Sequence, residues 1–158
     1  MSSVISGHVP HHFSVAVTDM DQALAWYQSI LGFAVEHRFH VPGIPADGAF
    51  LRGPGGLKLE LWCAVGVTPV PEQRRTPDSD LRTAGTKHMA FSVPDLQRQL
   101  AGLVARGVDI AAIQRDRREP MRPDPDPLAP GKPPAFALFV RDPAGTLIEL
   151  LDQAQVGG

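Results

Sequence analysis

Residues 12–17 alternate in character. Phe13, Val15 and Val17 fall on one side, and His12, Ser14 and Ala16 on the other. A period of two predicts a strand with one heavy and one light face. Thr18 or Asp19 stands where a helix cap belongs. Ala23, Leu24, Tyr27, Ile30 and Leu31 then recur at three and four, which predicts a helix to about Leu31. Gly32 is placed to end it in the left-handed conformation. Further strands are predicted near residues 33–41, 47–52 and 57–63, with turns at Pro42-Gly43 and at Gly53-Pro54-Gly55-Gly56.

The order strand, helix, strand, strand, strand then returns. Met89, Phe91 and Val93 oppose His88, Ala90 and Ser92. Asp95 starts a helix that carries Leu96, Leu100, Leu103 and Val104 and stops at Gly107. Strands follow near 108–113, 135–141 and 146–151.

Particular residues mark the repeat. His88 follows His12 by 76 positions, and Asp95 follows Asp19 by 76. Glu149 follows Glu60 by 89 positions, as Arg141 follows Arg52, Pro143 follows Pro54 and Gly145 follows Gly56. The second half has therefore gained a net 13 residues between its helix and its last hairpin. The period is too long for a solenoid, so the reading is an α+β fold of two modules related by a pseudo-twofold axis. The first module takes residues 10–64, a linker loop takes 65–85, and the second takes 86–152. The surplus falls in a Pro- and Arg-rich loop, 114–134. Loops this long are usually functional or disordered.

At 158 residues the chain is expected to be one domain or two small modules sharing a core, and its net charge of -2 offers no excess to nucleic acid or an anionic membrane. No apolar run approaches the roughly 20 residues of a membrane span. The start, MSSVISGHVP, lacks a basic region followed by an apolar one, so a cytoplasmic protein is expected. Cys63 is the one cysteine, which excludes an internal disulfide. It reads as a small buried apolar side chain.

Candidate chemistry lies in the repeat. Each half supplies a histidine early, His12 or His88, and a glutamate late, Glu60 or Glu149. Either histidine alone reads as a core or surface residue, and either glutamate as a side chain reaching solvent. Paired copies point to shared chemistry, because duplicated folding needs repeat leucines and glycines rather than His and Glu. Imidazole with carboxylate suits zinc, nickel, cobalt, manganese and ferrous iron. The small neighbours Ser14, Ala16, Ala90 and Ser92 leave room beside the histidines. Glu149 interrupts the run Leu147-Ile148-Glu149-Leu150-Leu151, where a carboxylate is costly unless paired, protonated or metal-bound. His8, His11, His37 and His40 lack partners at the repeat offset and are read as surface or supporting residues. Arg115, Arg117, Arg118 and Arg122, balanced by Asp116, Glu119, Asp124 and Asp126, read as a solvated charged loop. Trp26, Phe50, Trp62 and Phe136 read as core, with Phe50 and Phe136 placed where strands line a cavity.

The segments HHFSVAVTDMDQALAWYQSILGF, LKLELW, GTKHMAFSVPDL and VRDPAGTLIEL resemble the vicinal oxygen chelate superfamily over roughly residues 10–152. This is the fold of glyoxalase I, methylmalonyl-CoA epimerase, extradiol dioxygenases and the fosfomycin- and bleomycin-resistance proteins. The resemblance implies two βαβββ modules whose sheets form a partly closed cup around a metal. It implies His12, Glu60, His88 and Glu149 as ligands, a small-molecule substrate and a homodimer. A glutamate at position 60 is similar to the glyoxalase I pattern, whereas the dioxygenase branch has no carboxylate there and the epimerases often have Gln. The implied activity is a metal-dependent lyase or isomerase that forms an enediolate. Glu149 is the first candidate for its base and Glu60 the second. Two alternatives stay open. One is a ferrous extradiol-type dioxygenase using His12, His88 and Glu149. The other is a metal-free drug-binding resistance protein.

Overall fold

A computed structural model describes residue 7 and residues 9–156. The chain divides into two compact units, with the boundary between Val67 and Thr68. The first unit runs β1 (Phe13–Ala16), α1 (Met20–Leu31), β2 (Ala34–His40), β3 (Ala46–Arg52) and β4 (Lys58–Ala64). The second begins with a short helix, α2 (Pro77–Asp80). It continues through β5 (Met89–Val93), α3 (Leu96–Ala105), β6 (Ile110–Gln114), β7 (Ala137–Arg141) and β8 (Leu147–Asp152) to α4 (Gln153–Val156). Each unit is an α+β module with one open four-stranded mixed sheet. The strand orders, β1-β4-β3-β2 and β5-β8-β7-β6, are the same path traced twice.

Local signals account for the helices. The Asp19 carboxylate accepts from the Gln22 N–H at 2.9 Å, and Gly32 closes α1 at φ 69°. Asp95 does the same for α3, accepting from the Arg98 N–H at 3.0 Å. Capping of this kind contributes about 1 kcal/mol. Met20, Ala23, Leu24 and Tyr27 are the buried face of α1, and Leu96, Leu100 and Leu103 that of α3. Val104, expected on the same face, is 36% exposed because it lies beyond the edge of that stripe. Beneath the helices lie Leu51, Leu59 and Leu61 in one sheet, and Leu138, Val140, Ile148 and Leu150 in the other. Each fully buried Leu contributes about 2 kcal/mol.

In both modules the first strand pairs with the last in parallel, with Ser14 opposite Glu60 and Ala90 opposite Glu149. Pairing starts at Phe13 and Met89, so His12 and His88 stand one residue ahead of their strands rather than within them. Both second strands carry a register shift, between Val35 and His37 and between Ile110 and Ala112. A bulge of this kind re-aims the side chains that follow it.

The two long loops are tied down. In the linker, Asp80 is 2% exposed; its Oδ1 accepts from Arg74 Nε at 2.8 Å, and Lys87 Nζ donates to its backbone oxygen at 2.6 Å. In the loop after β6, Arg115 donates to Asp124 Oδ2 at 3.1 Å and to the Pro127 oxygen at 2.8 Å. Arg117 lies 4.4 Å over the half-buried Phe136 ring. Arg122 exchanges backbone hydrogen bonds with Ile113. The expectation of a solvated loop is corrected at Arg115 and Asp124, which neutralise each other in a half-buried pair. Cys63, expected to be buried, is half-buried, because β4 turns towards solvent at its end.

Candidate functional site

The sheet registers bring the repeated residues together within each module. His12 Nε2 lies 3.3 Å from Glu60 Oε2. His88 Nε2 lies 3.2 Å from Glu149 Oε2. The environments match as well: both histidines are 32% exposed, and the glutamates 13% and 17%. Glu60 projects from β4 between Leu59 and Leu61, both wholly buried, and so faces away from the helix-covered side. Glu149 does the same between Ile148 and Leu150.

Each set has a third member, Phe50, read in the sequence as a residue that could line a cavity, and Phe139, which that reading missed. Phe50 is the cross-strand neighbour of Glu60, and its ring meets His12 edge-on at 5.4 Å. Phe139 is the neighbour of Glu149 and meets His88 edge-on at 4.9 Å. The signal was present, because Phe139 follows Phe50 by the same 89 positions that separate the glutamates. Each ring packs at a right angle against the imidazole whose Nε2 faces the carboxylate. On the far side of His12, its Nδ1 is 2.7 Å from His11 Nδ1.

A divalent cation suits the donors in each pair. Two donors about 2.1 Å from one ion and roughly 100° apart are about 3.2 Å from each other, which is the separation both pairs present. Each pair is one nitrogen and one oxygen, half of a coordination sphere. Among the described residues, no group of three or more His, Cys, Asp or Glu forms a metal-holding cluster. The grouping within the structure is thus two like pairs, one per module.

Around these pairs the modules differ. In the first, the row beside Ser14, Glu60 and Phe50 ends in His37, and the next row runs Ala16, Trp62, Gly48 and Phe39. In the second, Ala112 takes the place of His37, and Leu151, Ala137 and Gln114 replace Trp62, Gly48 and Phe39. Trp62, expected in the core, is half-buried on the glutamate side of its sheet. Glu36, Arg52 and Lys58 form a charge cluster on the same module. Burial pushes the Glu36 carboxyl up, but the Arg52 hydrogen bond and the charges of Arg52, Lys58 and His37 outweigh it and hold the carboxyl low.

Comparison with known proteins fits this duplicated geometry. Residues 11–122 match the family model of the Glyoxalase/Bleomycin resistance protein/Dioxygenase superfamily, a stretch that includes His12, Glu60 and His88. The chain belongs to that superfamily. It is 27% identical to the uncharacterised Escherichia coli K12 protein YaeR over 143 residues, 90% of this chain and 95% of YaeR. It is similar to the trypanothione-dependent glyoxalase I of Leishmania major, with a TM-score of 0.63 and 26% identity, covering 92% of this chain and 86% of that enzyme. FosX, a fosfomycin resistance protein of Listeria monocytogenes solved with Mn(II) and sulfate, shares the fold, with a TM-score of 0.57 and 16% identity over 94% of this chain and 93% of FosX. Among the described residues, no helix is long and apolar enough to cross a membrane.

Proposed function

We propose that this member of the superfamily is a divalent-metal-dependent lyase or isomerase of the glyoxalase I type. Its substrate is a small molecule bearing two neighbouring oxygens. The observation that carries the reading is the matched pair of donors, His12 with Glu60 and His88 with Glu149, at 3.3 and 3.2 Å. In this reading the two pairs are halves of one ligand set for zinc, nickel, cobalt, manganese or ferrous iron. The likeness to a glyoxalase I adds weight on the side of proton-transfer chemistry.

Bound there, the cation supplies Lewis-acid polarisation of a substrate carbonyl. The chain's own residues do the rest. His12 and His88 present imidazole nitrogens, each packed edge-on against a phenylalanine ring. Glu149 accepts the proton from the carbon next to the carbonyl and returns it to the neighbouring carbon, with Glu60 as the second candidate for that base. Phe139 and Leu147, buried on the same side of the sheet as Glu149, limit water around it.

The test is metal analysis of protein purified without chelators, followed by proton exchange in labelled water with an α-ketoaldehyde hemithioacetal. Stoichiometric metal, with exchange that is lost in Glu149→Gln while metal is retained, supports the reading. Oxygen consumption with a catechol, dependent on ferrous iron, would replace it with ring cleavage. Protein that holds no metal and binds a drug would replace it with sequestration.

A further inference from the structure

We infer that the glutamate side of the first module is the substrate's recognition wall, and that it selects an uncharged, flat aromatic or unsaturated group next to the two chelating oxygens. This rests on the metal-chelate reading above and adds the substrate class to it.

Phe39, Phe50 and Trp62 form a continuous shelf. Phe39 and Phe50 are nearly parallel, with 26° between ring planes at 5.4 Å, and Trp62 meets Phe39 edge-on at 5.1 Å. His37 closes the shelf at 5.3 Å from Phe50. The shelf joins the donor pair directly, because Phe50 is also the ring against His12.

Gly48 makes the shelf possible. A Cβ at that position would stand 2.3 Å from Phe39 Cζ, so glycine there leaves the tip of the ring its place over the strand. All three rings remain half-exposed, so part of each is open to a flat partner. The nearby cations do not ask for an anion: Arg52 lies 2.5 Å from Glu36 and Lys58 3.8 Å from it.

The second module has no such shelf. There the loop after β6 returns Met121 onto a buried cluster of Ala111, Phe139 and Leu147. Leu147 and Phe139 lie on the Glu149 side of their strands, so this side is already packed by the chain itself. One module is filled by its own loop, and the other keeps an aromatic surface open.

Two probes with the same pair of oxygens separate this from the metal reading. Benzohydroxamate and acetohydroxamate differ only in a phenyl against a methyl. Their calorimetric affinities for the Co(II)-loaded protein are each corrected for affinity towards free Co(II). The expected ratio favours benzohydroxamate by about tenfold or more. In Gly48→Ala, where Phe39 is displaced, and in Phe39→Leu, which keeps an apolar side chain, the ratio falls to within about threefold of unity. Equal affinities in the unaltered protein, or a ratio unchanged in Phe39→Leu, overturn the shelf and leave the metal reading standing. Failure of the protein to hold Co(II), or of both hydroxamates to bind the loaded protein, overturns the metal reading and the inference with it.

Discussion

His88 Nε2 faces Glu149 Oε2 across 3.2 Å from a position one residue ahead of β5, while Glu149 stands in the centre of the parallel neighbour β8. The separation is that of two donors to one cation, and His12 repeats it with Glu60 at 3.3 Å. If the pairs are halves of one set, neither suffices alone. Replacing His88 or His12 by Ala is expected to weaken Co(II) binding at least about 100-fold, beyond the loss usual for a supporting residue. The visible absorption of bound Co(II) reads this without turnover. Independent sites would instead lose half the bound metal in each variant and keep the rest at full affinity.

Phe139 braces His88 and is also core, at 3% exposure, whereas Phe50 braces His12 from a half-exposed position. The same substitution therefore has unequal effects. Phe139→Ala is expected to cost about 3 kcal/mol, because the cavity opens beneath Met121 and Leu147. Phe50→Ala is expected to cost about 1 kcal/mol, since water reaches the vacated space. Urea unfolding gives both values, and equal losses would contradict the difference in packing between the modules.

The duplicated residues were legible because they sit on strands or one residue ahead of them, at positions that the two modules repeat. His12, Glu60, His88 and Glu149 follow from two offsets, and Phe139 was available from the same offset as the glutamates. The caps at Asp19 and Asp95 were legible for an equally local reason. Asp80 was not, because its worth depends on how a loop folds Arg74 and Lys87 back onto it, and no period records that path. The open aromatic side of the first module was also hidden. A Trp or Phe on a strand looks the same in sequence whether a helix, a returning loop or nothing covers it.

The Asp80 knot ties the linker to Lys87, next to His88, and gives stability a sign with pH. Burial pushes the Asp80 carboxyl up, but the hydrogen bond from Arg74 and the charges of Arg74 and Lys87 outweigh it, and its pKa falls below the ordinary value. A carboxylate held low in the folded state stabilises fully above its unfolded pKa of about 3.9 and progressively less as pH drops through the folded value. Asp80→Asn is therefore expected to lose about 2 kcal/mol at neutral pH, discounted for the partly exposed Arg74. The deficit should shrink below about pH 4. Urea midpoints from pH 3 to 7 test this, and a deficit constant with pH would show that packing, not charge, is lost.

Asp124 does the corresponding work in the loop after β6. Lys132 donates to its Oδ1 at 2.5 Å and Arg115 to its Oδ2 at 3.1 Å. The Lys132 hydrogen bond lowers its carboxyl most; burial opposes, and the Arg115 hydrogen bond and the Asp126 N–H add to the lowering. These bonds close a local turn and reach no core residue. Asp124→Ala is therefore expected to loosen the loop while leaving global stability within about 1 kcal/mol. Limited trypsin digestion should cut first within residues 115–132, several-fold faster than in the unaltered protein, at an unchanged urea midpoint. Met121 keeps its seat on Phe139, because the backbone bonds between Ile113 and Arg122 do not depend on Asp124. A matching fall in the urea midpoint would instead mean that the loop is an integral part of the second module's core.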